Sequence, residues 1–230
     1  MDWQAWHEDY EESDSALGRR LTVVQAQIRA ALDRAAPGPV RIISVCAGQG
    51  NDLIGVLSEH PRRGEATARL VEIDEHNVRS ARDAASAAGL DGVEVVAADA
   101  SITDAYEGAV PADLVLLCGV FGNISQPDIA STIGHLPSLC APAASVIWTR
   151  HRHPPDLTPY IRETFEQAGF GEVVCEDSPP FGVGVNRLLA APRPFRAGVR
   201  LFEFVGYDVL EPDFHESQHG VIAGKGGGPR

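Results

Sequence analysis

Apolar residues in this chain change their spacing repeatedly, and the changes divide it into alternating helices and strands. In "SDSALGRRLTVVQAQIRAALDRA" (13–35), Leu17, Leu21, Val24, Ile28 and Leu32 recur every three or four positions, which predicts one helical face, with Ser13 or Ser15 as its cap. "APGPV" stops this helix. "VRIISVC" (40–46) then reads as a buried strand, and a helix is predicted from about Asp52 to His60, ended by "PRRGE". The strand "ARLVEID" (68–74) leads into "EHNVRSARDAASAAG" (75–89), an alanine-rich helix with Gly89 as its C-terminal cap. "VEVVAAD" (93–99) is a third strand. "ADLVLLCG" (112–119) is a fourth, its nearly continuous apolar run expected of a strand covered on both faces.

The helix "PDIASTIGHLPSLC" (127–140), the strand "ASVIWTRHR" (144–152) and the helix "LTPYIRETFEQAGF" (157–170) follow. The last strands are "GEVVCED" (171–177) and "GVGVNRLLAAP" (182–192), joined by the turn-rich "SPPFG" and therefore read as an antiparallel pair at one edge. Strands and helices alternating at this spacing predict an α/β fold: a seven-stranded, mostly parallel, doubly wound sheet with an antiparallel edge strand and helices on both faces. The core is expected over 37–192. Residues 1–36 form an N-terminal helical segment, 193–214 an extension that adds a strand or a lid, and 215–230 a Gly-rich, polar tail expected to be disordered.

A formal net charge of −13 sets a surface that repels phosphate backbones, and the densest basic runs, "HPRRG" and "RHRHPP", are short. Small-molecule chemistry is favoured over nucleic acid. No apolar run approaches the length of a membrane span, and the acidic N-terminus lacks the basic and apolar regions of a signal peptide, so a cytoplasmic protein without a membrane partner is expected. The cysteines Cys46, Cys118, Cys140 and Cys175 are widely spaced in apolar surroundings, which reads as reduced, buried thiols rather than a disulfide or zinc framework.

In an open parallel sheet, ligands sit beyond the carboxyl ends of the strands where the strand order reverses. Here the first strand ends in "CAGQGND", the second at Glu72, the third at Asp99 and the fourth in "CGVFGN". A carboxylate closing the second strand can accept hydrogen bonds from both hydroxyls of a ribose, and one closing the third can accept from an adenine amine. With the glycine turn, they describe a nucleoside site without phosphates. The dinucleotide fingerprint fails because Leu53 stands at its third glycine, and no Lys-Ser/Thr completes a phosphate-binding loop.

On these residues, the span from about 40 to 192 resembles a class I S-adenosylmethionine-dependent methyltransferase. "IISVCAGQG", "VEID", "VVAADA" and "ADLVLLCGVFGNI" are similar to the family's four motifs, in order and each at a strand end. The resemblance implies S-adenosylmethionine as cofactor. It would lie against Ala47, Gly48, Gly50 and Asp52, with Glu72 on the ribose beside Ile73, Asp99 on the adenine amine, the Ala100 backbone near the ring, and Cys118 and Gly119 closing the site. Asp74 is the second choice for the ribose. Where the family's first motif often carries an acidic residue ahead of the glycines, this chain has Ser44, and Asp52 is the residue that can supply the carboxylate.

The expected activity is methyl transfer to a small metabolite or natural product by in-line displacement, with the acceptor as the main partner and a homodimer compatible with it. No N-P-P-Y type motif follows the fourth strand, which argues against the amide, adenine and glutamine acceptors such motifs serve. The rival readings are an RNA or protein methyltransferase, or a protein that binds the cofactor without turnover. Candidates near the acceptor are Asn123 in "FGNIS", His151 in "WTRHRHPPD", and His7 and Tyr10 in "WQAWHEDY", a segment whose Trp3 and Trp6 serve equally as a lid or as core packing. His151 and His153 two apart suggest a metal, but no third ligand is indicated, so none is expected.

Overall fold

The computed structural model describes residues 15–176, 179–205 and 210. Its strands are β1 (Val40–Val45), β2 (Ala66–Glu72), β3 (Val93–Ala97), β4 (Ala112–Leu117), β5 (Cys140–His151), β6 (Phe170–Glu176) and β7 (Phe181–Leu188). They form one sheet in the order β3-β2-β1-β4-β5-β7-β6, with β1 to β5 parallel. The antiparallel edge takes a specific form: β7 lies between β5 and β6 and runs against both. The strand order reverses between β1 and β4, so a crevice opens where those two strands end.

Helices α1 (Ala16–Arg34), α2 (Leu53–Leu57), α3 (Glu75–Ala87), α4 (Gln126–His135) and α5 (Thr158–Gln167) cover the two faces. Strand alternation assigns each face its residues. Ile42, Leu70, Leu114, Leu116 and Ile147 pack with Val24, Ile28 and Leu32 of α1, while Ile43, Val45, Val115, Leu117 and Trp148 pack with Ile129 of α4 and Phe165 of α5. Gly184 sits opposite Trp148 in the β5–β7 register, and a Cβ there would come within 2.2 Å of the indole. The "GVGVN" pattern of β7 thus makes room for the largest core side chain, whose Nε1–H donates to Asn186 Oδ1 at 2.8 Å.

Local signals set the helix ends. The Ser15 hydroxyl accepts from Gly18 N–H, and the Asp74 carboxylate accepts from Asn77 N–H, each at 2.9 Å. Gly89 has φ +62°, its N–H bonds to Ser86 O and the next N–H bonds to Ala85 O, the paired closure of a Schellman motif. The predicted helix over 52–60 is shorter, Leu53–Leu57, and the strand predicted to begin at 144 starts at Cys140.

Residues 193–205 form a strap rather than a strand or a free lid. It makes single antiparallel bridges, Arg200 to Ile102 and Phe204 to Ile124, so it crosses the loops that follow β3 and β4. Thr103 N–H donates to Val199 O, Leu201 N–H to Ser101 O and Val205 N–H to Asn123 O, while Leu201 and Phe202 are buried. The aromatic N-terminal segment and the Gly-rich tail lie outside the described residues.

Candidate functional site

The site is built where β1 and β4 leave the sheet side by side. Past Val45 the chain turns through Cys46 at φ +50°, a left-handed conformation that costs a non-glycine residue about 1–2 kcal/mol. Gly48 and Gly50 continue the turn at φ +55° and +73°. A Cβ on Gly50 would lie 2.7 Å from Ile54 Cδ1 and 2.8 Å from Leu70 Cδ2, so this glycine is needed both for its backbone and for close packing.

The carboxylate of Glu72, 8% exposed, holds that turn. Oε2 accepts from Gly48 N–H at 2.8 Å, and Oε1 accepts from Ile73 and Asp74 N–H, both at 2.9 Å. A carboxylate offers about four acceptor positions, so three backbone donors leave one, on the oxygen bonded to Gly48. Asn77 stands beside it, 6% exposed and lining the same cleft.

On the far side, Asp99 Oδ1 accepts from Ser101 N–H at 2.9 Å. Its Oδ2 lies 3.9 Å from Arg200 Nη1 of the strap, which also donates to Ser101 Oγ at 3.1 Å. Gly119, after β4, has φ +80°; its N–H donates to Thr149 Oγ1 at 2.9 Å and its carbonyl accepts from Asn123 Nδ2 at 2.7 Å. A Cβ on Gly119 would meet no protein atom within 4 Å. These residues enclose a cleft of about 600 Å³.

A second cavity, about 70 Å³, adjoins it beneath the glycine turn and shares Cys46, Gly48 and Cys118 with it. Ser44, Ala47, Gly50 and Asp52 line it from the sheet side, Arg20 from α1. Burial pushes the Asp52 carboxyl pKa up, opposed by the Leu53 N–H at 2.7 Å, the Cys118 thiol and the Arg20 charge. Burial, reinforced by Asp52, pushes the Cys118 thiol well above the ordinary range, so it stays protonated and donates to the carboxylate. Where Ser44 replaces the acid of the first motif, Asp52 is the carboxylate lining the same cavity.

Most of the sequence-predicted residues therefore meet. Gly48, Glu72, Ile73, Asp99, Ala100, Cys118, Gly119 and Asn123 line the large cleft, and Ala47, Gly50 and Asp52 line the small cavity. His151 lines neither; it packs on Gly122, where a Cβ would stand 3.3 Å from its Cδ2. Burial lowers its pKa to about 4, with Arg150 and His153 acting in the same direction and Asp156 against it. The His151 and His153 rings stack with centroids 5.6 Å apart, and among the described residues no group of three metal-ligating side chains is present. His7 and Tyr10 lie outside the described residues.

Asp113, at the start of β4, accepts from Arg41 N–H at 2.8 Å and so ties β1 to β4 away from the cleft. Sequence reasoning missed the strap wall: Arg200, Phe202, Glu203 and Phe204. Their apolar alternation signalled a strand or lid, but nothing local showed which loops they would cross.

Solved structures share this architecture at low identity. An O-methyltransferase family protein from Burkholderia thailandensis matches with a TM-score of 0.64 and 18% identity, over 84% of this chain and 61% of the other. A magnesium protoporphyrin IX methyltransferase from Synechocystis, solved with bound S-adenosylmethionine, matches with 0.64 and 14% over 81% and 90%. The chain has the class I S-adenosylmethionine-dependent methyltransferase fold. A third structure with this methyltransferase fold is the B. thailandensis 1,6-didemethyltoxoflavin-N1-methyltransferase, solved with 1,6-didemethyltoxoflavin and S-adenosylhomocysteine; it matches with 0.60 and 16% over 82% and 86%. No protein-family model matches the sequence, and no curated protein does.

Proposed function

We propose that this chain is an S-adenosylmethionine-dependent methyltransferase acting on a small-molecule acceptor. The observation that carries the reading is the convergence of Glu72, Asp99 and the open Gly119 on one cleft at the β1/β4 switch point. The donor set fits a nucleoside without phosphates: Arg200 is the only Lys or Arg lining the cleft among the described residues, and it is already engaged by Asp99 and Ser101. The cofactors present in the similar solved structures support the same choice.

In this reading the remaining acceptor of Glu72, together with the Asn77 amide, holds the ribose hydroxyls. Asp99 accepts from the adenine amine, and the Ala100 backbone borders the ring. Gly119 keeps the approach open, because any side chain there would project into unfilled space. Asp52 and Arg20 face the amino-acid end of the cofactor across the small cavity. The bound sulfonium supplies the electrophilic methyl; the chain's residues align it and shield it from water.

Asn123, tethered to the Gly119 carbonyl, borders the acceptor. His151, which lines neither the cleft nor the small cavity, takes no part in the acceptor chemistry. No helix among the described residues is long and apolar enough to cross a membrane, and the net charge of −13 suits a small-molecule acceptor better than a nucleic acid.

The test is formation of S-adenosylhomocysteine, followed by mass spectrometry, when protein and S-adenosylmethionine are incubated with a low-molecular-mass metabolite extract. The expected result is product that depends on both protein and extract. Tight cofactor binding without product would mean a binding protein, and product formed only with RNA or protein added would replace the acceptor class.

A further inference from the structure

Exposed apolar side chains are concentrated at the mouth of the large cleft. Among the described residues five large apolar side chains are exposed: Val173 and Leu189 lie at the β6/β7 edge, Ile73 and Phe204 line the cleft, and Val205 follows Phe204 on the strap. Ile73, 71% exposed, projects from the loop after β2, and Phe204, 42% exposed, from the strap. Both line the cleft, one from each side. Val205 N–H is bonded to Asn123 O at 2.9 Å, so the apolar strap residues are fixed beside the loop that follows β4.

Carboxylates outnumber cations among the residues lining this cleft. Asp74 and Glu203 are exposed lining residues, and Glu203 forms no ion pair with the described residues. The one lining guanidinium, Arg200, is held against Asp99 and Ser101. A cleft with apolar walls and carboxylate rims attracts cations and repels anions. An aromatic face beside carboxylates adds to the attraction of a cation.

We propose that the strap is the acceptor-recognition element: Phe204, bridged to Ile124 beside Asn123, seats an apolar acceptor, and Glu203 selects one carrying a positive charge over one carrying a negative charge. This rests on the methyltransferase reading of the cleft. It names the acceptor as an apolar, amine-bearing small molecule and gives the strap over 193–205 a role in specificity.

The experiment titrates two probes with the same ring system, 2-naphthylmethylammonium and 2-naphthoate, into the full chain saturated with S-adenosylhomocysteine. The ammonium probe should bind about tenfold more tightly than the carboxylate. Glu203→Gln should narrow that ratio, and Phe204→Ala should weaken both probes several-fold, with Phe204→Leu retaining most of the affinity. Equal affinities, a preference for naphthoate, binding of neither probe, or indifference of both to Phe204→Ala would each overturn the proposal. S-adenosylhomocysteine is titrated separately into the same wild-type protein. If it fails to bind, the cofactor reading fails on that titration, and the probes titrated alone still report the selectivity of the mouth.

Discussion

The Glu72 carboxylate accepts the Gly48 N–H at 2.8 Å, so the end of β2 holds the glycine turn that follows β1. The same side chain also accepts from Ile73 and Asp74 N–H. It therefore shapes the cleft as well as facing it. Glu72→Ala removes the partner of three backbone donors and the acceptor proposed for the ribose. Cofactor affinity should fall by about 1–3 kcal/mol, and urea-denaturation stability of the ligand-free protein should fall too. Unchanged affinity in a folded variant would remove Glu72 from the cofactor site.

Gly184 tests the packing account independently of function. A methyl group there would enter the Trp148 ring, and overpacking of this kind costs about 1–3 kcal/mol or more. Thermal unfolding of Gly184→Ala should show a clear drop in Tm. A wild-type Tm would mean that β7 does not press on the indole as the register of Trp148 and Gly184 requires.

Much of this arrangement was legible in the chain. The strand-end positions of Glu72 and Asp99, the glycine turn and the Gly89 cap follow from local period and turn chemistry, which the backbone obeys directly. What was hidden depends on pairings distant in sequence. The strap reaches its place through Arg200 to Ile102 and Phe204 to Ile124, separations that periodicity does not encode. The same limit applies to β7, whose insertion between β5 and β6 is a choice among edge pairings, and to Arg20, which reaches the small cavity only because α1 packs across the sheet. Glu72's hold on Gly48 was also invisible, because a carboxylate that suits a ribose suits backbone N–H groups equally well.

Asp52 should show stability traded against binding. Its pKa is raised in the folded state, chiefly by burial, so the native protein disfavours the ionised form. Stability linked to this group is lost as pH rises from the ordinary carboxyl range through the raised folded value. Asp52→Asn keeps a side-chain oxygen for the Leu53 N–H and removes the charge. Thermal melts at neutral pH should show a Tm equal to or above wild type, while S-adenosylmethionine affinity falls. A lower Tm with unchanged affinity would reverse both assignments.

His151 gives the opposite pH dependence. Its folded pKa of about 4 lies below the ordinary imidazole value, so the native state disfavours its protonation. Stability from this residue is complete above about pH 6.5 and is lost as pH falls from there toward 4. Denaturant unfolding across that window should show wild type losing stability more steeply than His151→Gln. Parallel curves would place the pH sensitivity elsewhere.

The central claim is that the β1/β4 cleft takes a methionine-bearing nucleoside. Calorimetric titration of the purified chain with S-adenosylmethionine and S-adenosylhomocysteine, with NAD and ATP as controls, tests it most directly. The account predicts binding of the first two with a stoichiometry of about one and no measurable heat from the phosphate-bearing controls, which the carboxylates of Glu72, Asp74 and Asp99 oppose. Preference for NAD or ATP, or binding of none of the four, would contradict it.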